Sequence, residues 1–126
     1  KNSILMDHTE AGHFNYIGDS IIGSHVNLGA GSKLANLQLR SADEKRKNYI
    51  NPIQIPLDSG ILDTGMEKLG AVIGDNVELG CNAVVCPGTL IGKDVWVYSG
   101  LTVPKGYYPA GILLVPKDRK PRSIRK

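Results

Sequence analysis

The sequence is poor in most features that mark other classes of protein. Aromatic residues make up 6% of its 126 positions, with one tryptophan and one phenylalanine. That leaves no interleaved set of rings on which bases would stack, so nucleic acid is not expected as a partner. Two cysteines, Cys81 and Cys86, have neither the number nor the spacing of a disulfide framework, and no C-x-x-C pair points to a zinc ribbon or redox motif. Both are expected as reduced thiols. No apolar run approaches the roughly 20 residues of a membrane-spanning helix. The first residues, KNSILMDHTE, also lack the arrangement of a signal peptide, so a cytoplasmic location is expected and no membrane partner. An initiator methionine is missing and Leu5 already sits in mid-pattern, as expected of a fragment of a longer chain.

What remains is the composition of one ordinary folded domain, 41% hydrophobic and 21% charged. The formal charge of +3 is uneven: the last ten residues carry +5, which leaves −2 for the rest. A basic end of this kind is read first as solvated, and second as a clamp for a phosphorylated ligand or nucleic acid.

The informative feature is a repeat. From residue 73 onward an aliphatic residue returns every six positions, at Ile73, Leu79, Val85, Ile91, Val97 and Val103. Small or aliphatic residues follow four places after the first five of these, at Val77, Ala83, Thr89, Val95 and Leu101. A helix needs a period near 3.6 and an open sheet a period of 2. A period of six instead predicts an all-β parallel β-helix, in which each hexad forms one short strand whose aliphatic residue fills a narrow interior. The same signature covers Leu5, Ala11 and Ile17, then takes a five-residue step to Ile22, and continues at Leu28 and Leu34.

Between these blocks the pattern stops. Residues 37–72 are expected as an inserted excursion, with short strands at Leu37–Arg40, Tyr49–Ile55 and Ile61–Asp63 separated by turns at Ser41–Asp43 and Asp58-Ser59-Gly60. The expected organisation is therefore first coils over 1–36, the excursion, a second block of coils over 73–106, and a cap with a basic tail over 107–126. The cap reading rests on Tyr107-Tyr108-Pro109 and the apolar run Ile112–Val115, which would shield the last open edge.

Inward residues of such a solenoid are aliphatic, so chemistry must point outward or lie on the excursion. His13, Tyr16, Asn27, Asn36 and Lys68 qualify. With three hexads per coil, residues about 18 apart stack, and Cys81 and Ser99 are 18 apart on one outer track along which an extended ligand arm would lie.

The run AGHFNYIGDSIIGSHVNLGAGSKLAN, residues 11–36, resembles the C-terminal domain of bifunctional N-acetylglucosamine-1-phosphate uridylyltransferase/glucosamine-1-phosphate acetyltransferase, including the five-residue step. The resemblance implies a left-handed β-helix and a homotrimer with sites between subunits. It implies acetyl-CoA-dependent transfer to an amino-sugar 1-phosphate, with no metal. His13 matches the catalytic base, and Tyr16, Asn27, Lys68 and Lys1 match residues that bind the sugar phosphate. The backbone N–H of Ala30 in Gly29-Ala30-Gly31, together with Asn36, Cys81 and Ser99, matches positions facing acetyl-CoA. A histidine suits the role because its ordinary pKa of about 6.5 lies near working pH.

Several positions depart from that pattern. Leu37 stands where the family has a tyrosine, the excursion is much longer, and the residues after Val103 do not preserve the family's pattern around its CoA-phosphate arginine, leaving Lys117 or Arg119 as substitutes. The stretch EKLGAVIGDNVELG also resembles the tails of sugar nucleotidylyltransferases, in which the β-helix serves oligomerisation or regulation. A third reading is a zinc site like that of β-helical carbonic anhydrases, because His8 and His13 have H-x₄-H spacing with His25 nearby. Their different hexad positions predict that His8 and His13 face different ways.

Overall fold

The computed structural model describes residues 1–117; Arg119 and most of the basic tail lie outside the described residues. Coil one supplies β1 (Ile4–Leu5) and β2 (Tyr16–Ile17), and coil two β3 (Ile21–Ile22), β4 (Asn27–Leu28) and β5 (Lys33–Leu34). An insertion follows, carrying α1 (Ala42–Arg46), β6 (Gln54–Leu57) and β7 (Gly60–Asp63). Coil three is β8 (Ala71–Ile73), β9 (Glu78–Leu79) and β10 (Val84–Val85). Coil four is β11 (Thr89–Ile91), β12 (Trp96–Val97) and β13 (Thr102–Val103), and coil five β14 (Gly106–Tyr108) and β15 (Leu113–Leu114).

These strands stack into three parallel sheets, the walls of a left-handed triangular prism. Sheet A runs β1-β3-β8-β11-β14, sheet B β4-β9-β12-β15 and sheet C β2-β5-β10-β13. Coil one joins sheet B through a bridge from Glu10 to Asn27. The repeat positions form the interior: Ile73, Leu79, Val85, Ile91, Val97 and Val103 are all buried, as are Val77, Ala83, Thr89 and Val95. Burying such side chains stabilises by about 1.5–3 kcal/mol each, which is what two-residue strands require to persist. Leu5, in the outermost coil, has neighbours on one side only and is 43% exposed.

The insertion leaves the register intact, since Ile22 pairs with Ile73 and Leu34 with Val85 across it. It folds back on the corner between sheets C and A, where Ile53 and Ile55 are buried. Gly88 makes room for them. Its φ is +82°, and a Cβ there would stand 2.6 Å from Ile53 Cγ2.

Three local expectations are corrected. Ser41–Asp43 is the start of α1 rather than a turn: Ser41 caps it and Glu44 closes a reciprocal capping box, with Lys47 and Arg46 both on Asp43. No strand forms at Leu37–Arg40, and β6 begins only at Gln54, opposite β7 as a hairpin. Residues 107–115 do not cap the last coil but begin another. Tyr108, Ile112 and Leu114 pack against the interior, with Tyr108 five residues and Leu114 eleven after Val103, so the shortened step of coil one recurs here.

Candidate functional site

At the corner between sheets B and C, coils two, three and four each close with a four-residue turn. Ser32, Ala83 and Leu101 N–H groups donate to Gly29, Gly80 and Tyr98 carbonyls at 3.1, 3.2 and 3.4 Å. The third residue of each turn, Gly31, Asn82 or Gly100, has φ of +75°, +58° or +72°, the signature of a type II turn. Phe14, at φ +51°, holds the equivalent place in coil one and is 94% exposed. The sheet register then stacks the second residues: His13, Ala30, Cys81 and Ser99 lie one above another. Backbone bonds tie the tiers together, Gly31 N–H to His13 O and Asn82 N–H to Ala30 O at 2.9 Å, and Gly100 N–H to Cys81 O at 2.8 Å. Among the described residues the Ala30 N–H donates to no acceptor.

Asn15 fixes the lowest tier. Its Oδ1 accepts the His13 N–H at 3.2 Å, and its Nδ2 donates to Gly29 O at 2.8 Å and Ser32 Oγ at 2.9 Å. Beside the stack runs a groove of about 330 Å³ on the outer face of sheet B, whose walls include Asn27, Cys81, Trp96, Tyr98 and Ser99. Asn27 faces it from between Glu10 and Glu78.

Tyr16, Asn36, Lys68 and Lys1 gather elsewhere, at the corner between sheets C and A. The five-residue step there turns on Asp19, held at φ +48°. Asp19 Oδ2 accepts from Asn36 Nδ2 at 2.6 Å and Asp19 Oδ1 from Asn2 Nδ2 at 3.4 Å. Leu69 N–H donates to Asn36 O at 3.0 Å and Gly70 N–H to Asp19 O at 2.9 Å, which sets the backbone beside Lys68. Gly18 lies beneath: a Cβ there would stand 2.6 Å from Asn36 Nδ2 and 2.8 Å from Tyr16 Oη. The Asn36 bond above all, and the Asn2 bond and the positive Lys68 and Lys1, hold the Asp19 carboxyl below its usual range, against the opposing effect of burial.

The sequence-selected residues therefore form two groups at opposite edges of sheet C, not one. His13, Ala30, Cys81 and Ser99 are brought together, with Asn27 on the adjoining groove; Lys1, Tyr16, Asn36 and Lys68 are brought together around Asp19. Asn15 and Asp19 escaped selection by sequence; the shortened step was the signal for Asp19. Lys117 stands one tier above Gly100 by register, at the top of the column of third turn residues that runs beside the first stack. His8 does face away from His13: its ring stacks on that of His25 at 4.9 Å between centroids, at the corner between sheets A and B. Among the described residues no three His, Cys, Asp or Glu side chains converge as a metal-holding group.

Solenoid, repeat and corner stack together define a hexapeptide-repeat β-helix. The comparisons agree. Over 103 residues the chain is 36% identical to the "Bifunctional sugar-1-phosphate nucleotidylyltransferase/acetyltransferase" of Sulfurisphaera tokodaii, covering 82% of this chain and 23% of that one. Over 97 residues it is 35% identical to the "Bifunctional protein GlmU" of Methanocaldococcus jannaschii, covering 77% and 21%. The chain belongs to the β-helix family that forms the C-terminal portion of these bifunctional proteins. It spans less than a quarter of the length of either relative. Serine acetyltransferase 1 of Entamoeba histolytica, solved with L-cysteine, shares the fold with a TM-score of 0.65 at 15% identity, over 91% of this chain and 37% of that one. No family model matches the chain.

Proposed function

We propose that this β-helix transfers the acetyl group of acetyl-CoA to the amine of an amino-sugar 1-phosphate. The observation that carries the reading is the stack of His13 beneath Ala30, with the Ala30 N–H unspent and the Cys81–Ser99 track and its groove continuing upward. A pantetheine arm laid along that track would bring its thioester to the Ala30–His13 level. The sugar amine attacks the thioester carbonyl and forms the C–N bond while His13 accepts the proton it loses. The Ala30 N–H faces the oxyanion of the tetrahedral intermediate. Collapse breaks the C–S bond, and the CoA thiolate takes up a proton as it departs.

The sugar phosphate is assigned to Lys1, Lys68 and Tyr16, and Asn27 to the sugar side of the groove; Asn36, matched in sequence to a position facing acetyl-CoA, stands among the first three around Asp19 and is therefore assigned with them. Because these groups and His13 occupy opposite edges of sheet C, one copy's edge has to abut the other edge of the next copy. A homotrimer with sheet C facing the threefold axis satisfies this, and the exposed Phe14 beside His13 then lies within the contact. Lys117 is the cation assigned to the CoA phosphate end. We place the protein in the cytoplasm, where acetyl-CoA is supplied; among the described residues no helix is long and apolar enough to cross a membrane.

The test is release of CoA by the purified chain with acetyl-CoA and glucosamine 1-phosphate, with mass measured by light scattering. Turnover that survives His13→Ala unchanged removes the base. Absence of both turnover and acetyl-CoA binding, in the chain alone and with its upstream sequence, would leave the oligomerisation-tail reading in its place.

A further inference from the structure

We propose that the cleft between the insertion and the coil wall is a second binding site, which takes a neutral, polyhydroxylated ring of monosaccharide size. Gln38, Asn51, Pro52, Gln54, Asp63 and Lys105 enclose about 320 Å³ there, the lower end of the roughly 300–1,000 Å³ typical of small-molecule sites. They come from three separate stretches of chain: the departure from coil two, the hairpin of the insertion, and the corner after β13. Lys105 stands two coils above Asn36 on the same corner, about 10 Å along the axis. The cleft is thus distinct from the Asp19 cluster and lies across sheet C from His13.

The walls are held before any ligand arrives. Ile53 and Ile55 anchor the hairpin in the coil, and Ile53 exchanges backbone bonds with Met66 and Thr64 at 2.8 and 3.1 Å. Lys105 Nζ donates to Gln38 Oε1 at 3.0 Å, closing the other side. Gln54 and Asp63 are register partners on the hairpin and share one face.

The lining decides the ligand class. One ammonium and one carboxylate cancel, so the cleft has no net attraction for a phosphate or other anion. The three amides, by contrast, both donate and accept, as each sugar hydroxyl does. Gln38 Nε2 and the Gln54 side-chain amide make no hydrogen bond among the described residues. Asp63 Oδ1 accepts from Gly65 N–H at 3.0 Å, which leaves Oδ2 for a pair of adjacent hydroxyls. Pro52 offers the one apolar surface, against which the C–H face of a ring would rest.

The experiment is ligand-observed saturation-transfer NMR on the full chain with methyl glucoside, N-acetylglucosamine and, as the anionic probe, glucose 1-phosphate. Both neutral sugars are expected to bind in the millimolar range. Asp63→Ala and Gln54→Ala, both at exposed positions, should weaken them about ten- to a hundred-fold with an unchanged melting curve. His13→Ala should leave this binding intact, which separates the result from success or failure of the acetyl-transfer reading. The inference is overturned if the neutral sugars give no transfer, if glucose 1-phosphate binds more tightly, or if both cleft variants retain the signal.

Discussion

Asn36 Nδ2 donates to Asp19 Oδ2 over 2.6 Å, across the gap between coils one and two. The bond uses the amide's nitrogen and leaves its carbonyl oxygen for other partners, so the orientation of Asn36 is decided by a residue that itself never needs to touch a ligand. Asp19 is in turn presented by the shortened corner, where φ of +48° aims its carboxylate across the step.

Asp19→Asn should therefore raise KM for the sugar phosphate several-fold while changing kcat less. The acid limb of stability should respond too. A carboxyl held below its usual range stabilises the fold fully above that range, and the contribution is lost as pH falls through the lower folded value. Acid titrations of wild type and Asp19→Asn should converge at low pH; parallel curves with an unmoved KM would sink the positioning role.

Ala30→Pro removes the one N–H assigned to the oxyanion. The second position of a type II turn favours proline, so the corner should survive. We expect kcat to fall about 10²–10³-fold with the melting temperature held, measured by CoA release and calorimetry. A drop in both together would mean that the turn, rather than the donor, had been lost.

Asn15→Ala unties the His13 corner from the one above it. Loss of its part-buried bonds should destabilise by about 1–3 kcal/mol in denaturant unfolding and lower kcat more than it raises KM. Asn15→Asp restores the acceptor for His13 N–H but not the donor to Gly29, so partial rescue of kcat is expected.

Ile53→Ala should cost about 2–5 kcal/mol of local stability and release the hairpin while the prism stays folded. Limited proteolysis near Asp58-Ser59 and hydrogen exchange over 50–66 would report this, with the strands of sheet B protected as before. Global unfolding would show instead that the insertion is part of the main core.

The prism was legible because its interior is one residue wide. Every sixth position must be aliphatic, and the Ile73-to-Val103 series records that without ambiguity. Stacking at the sheet B–C corner was legible for the same reason, since Cys81 and Ser99 stand one full coil apart. The insertion was not, because its order depends on contacts distant in sequence. Ile53 and Ile55 find their partner at Gly88, and no local period announces it. The helix α1 did leave a mark, the Ser41 and Glu44 pair of a capping box, but five residues give too little period to be read as a helix. The separation of His13 from Asn36 and Lys68 was hidden as well, because a motif in one dimension does not say which edge of sheet C each side chain adorns. The apolar run ending at Val115 was misread for want of one allowance, a second shortened step after Val103.

Because Leu34 still pairs with Val85 and Ile22 with Ile73 after a detour of more than 30 residues, the junction between coils two and three is a natural splice point. Segments of other lengths and chemistries could be grafted there, each inheriting a place beside the Asp19 cluster while the scaffold beneath goes on winding as though nothing had been added.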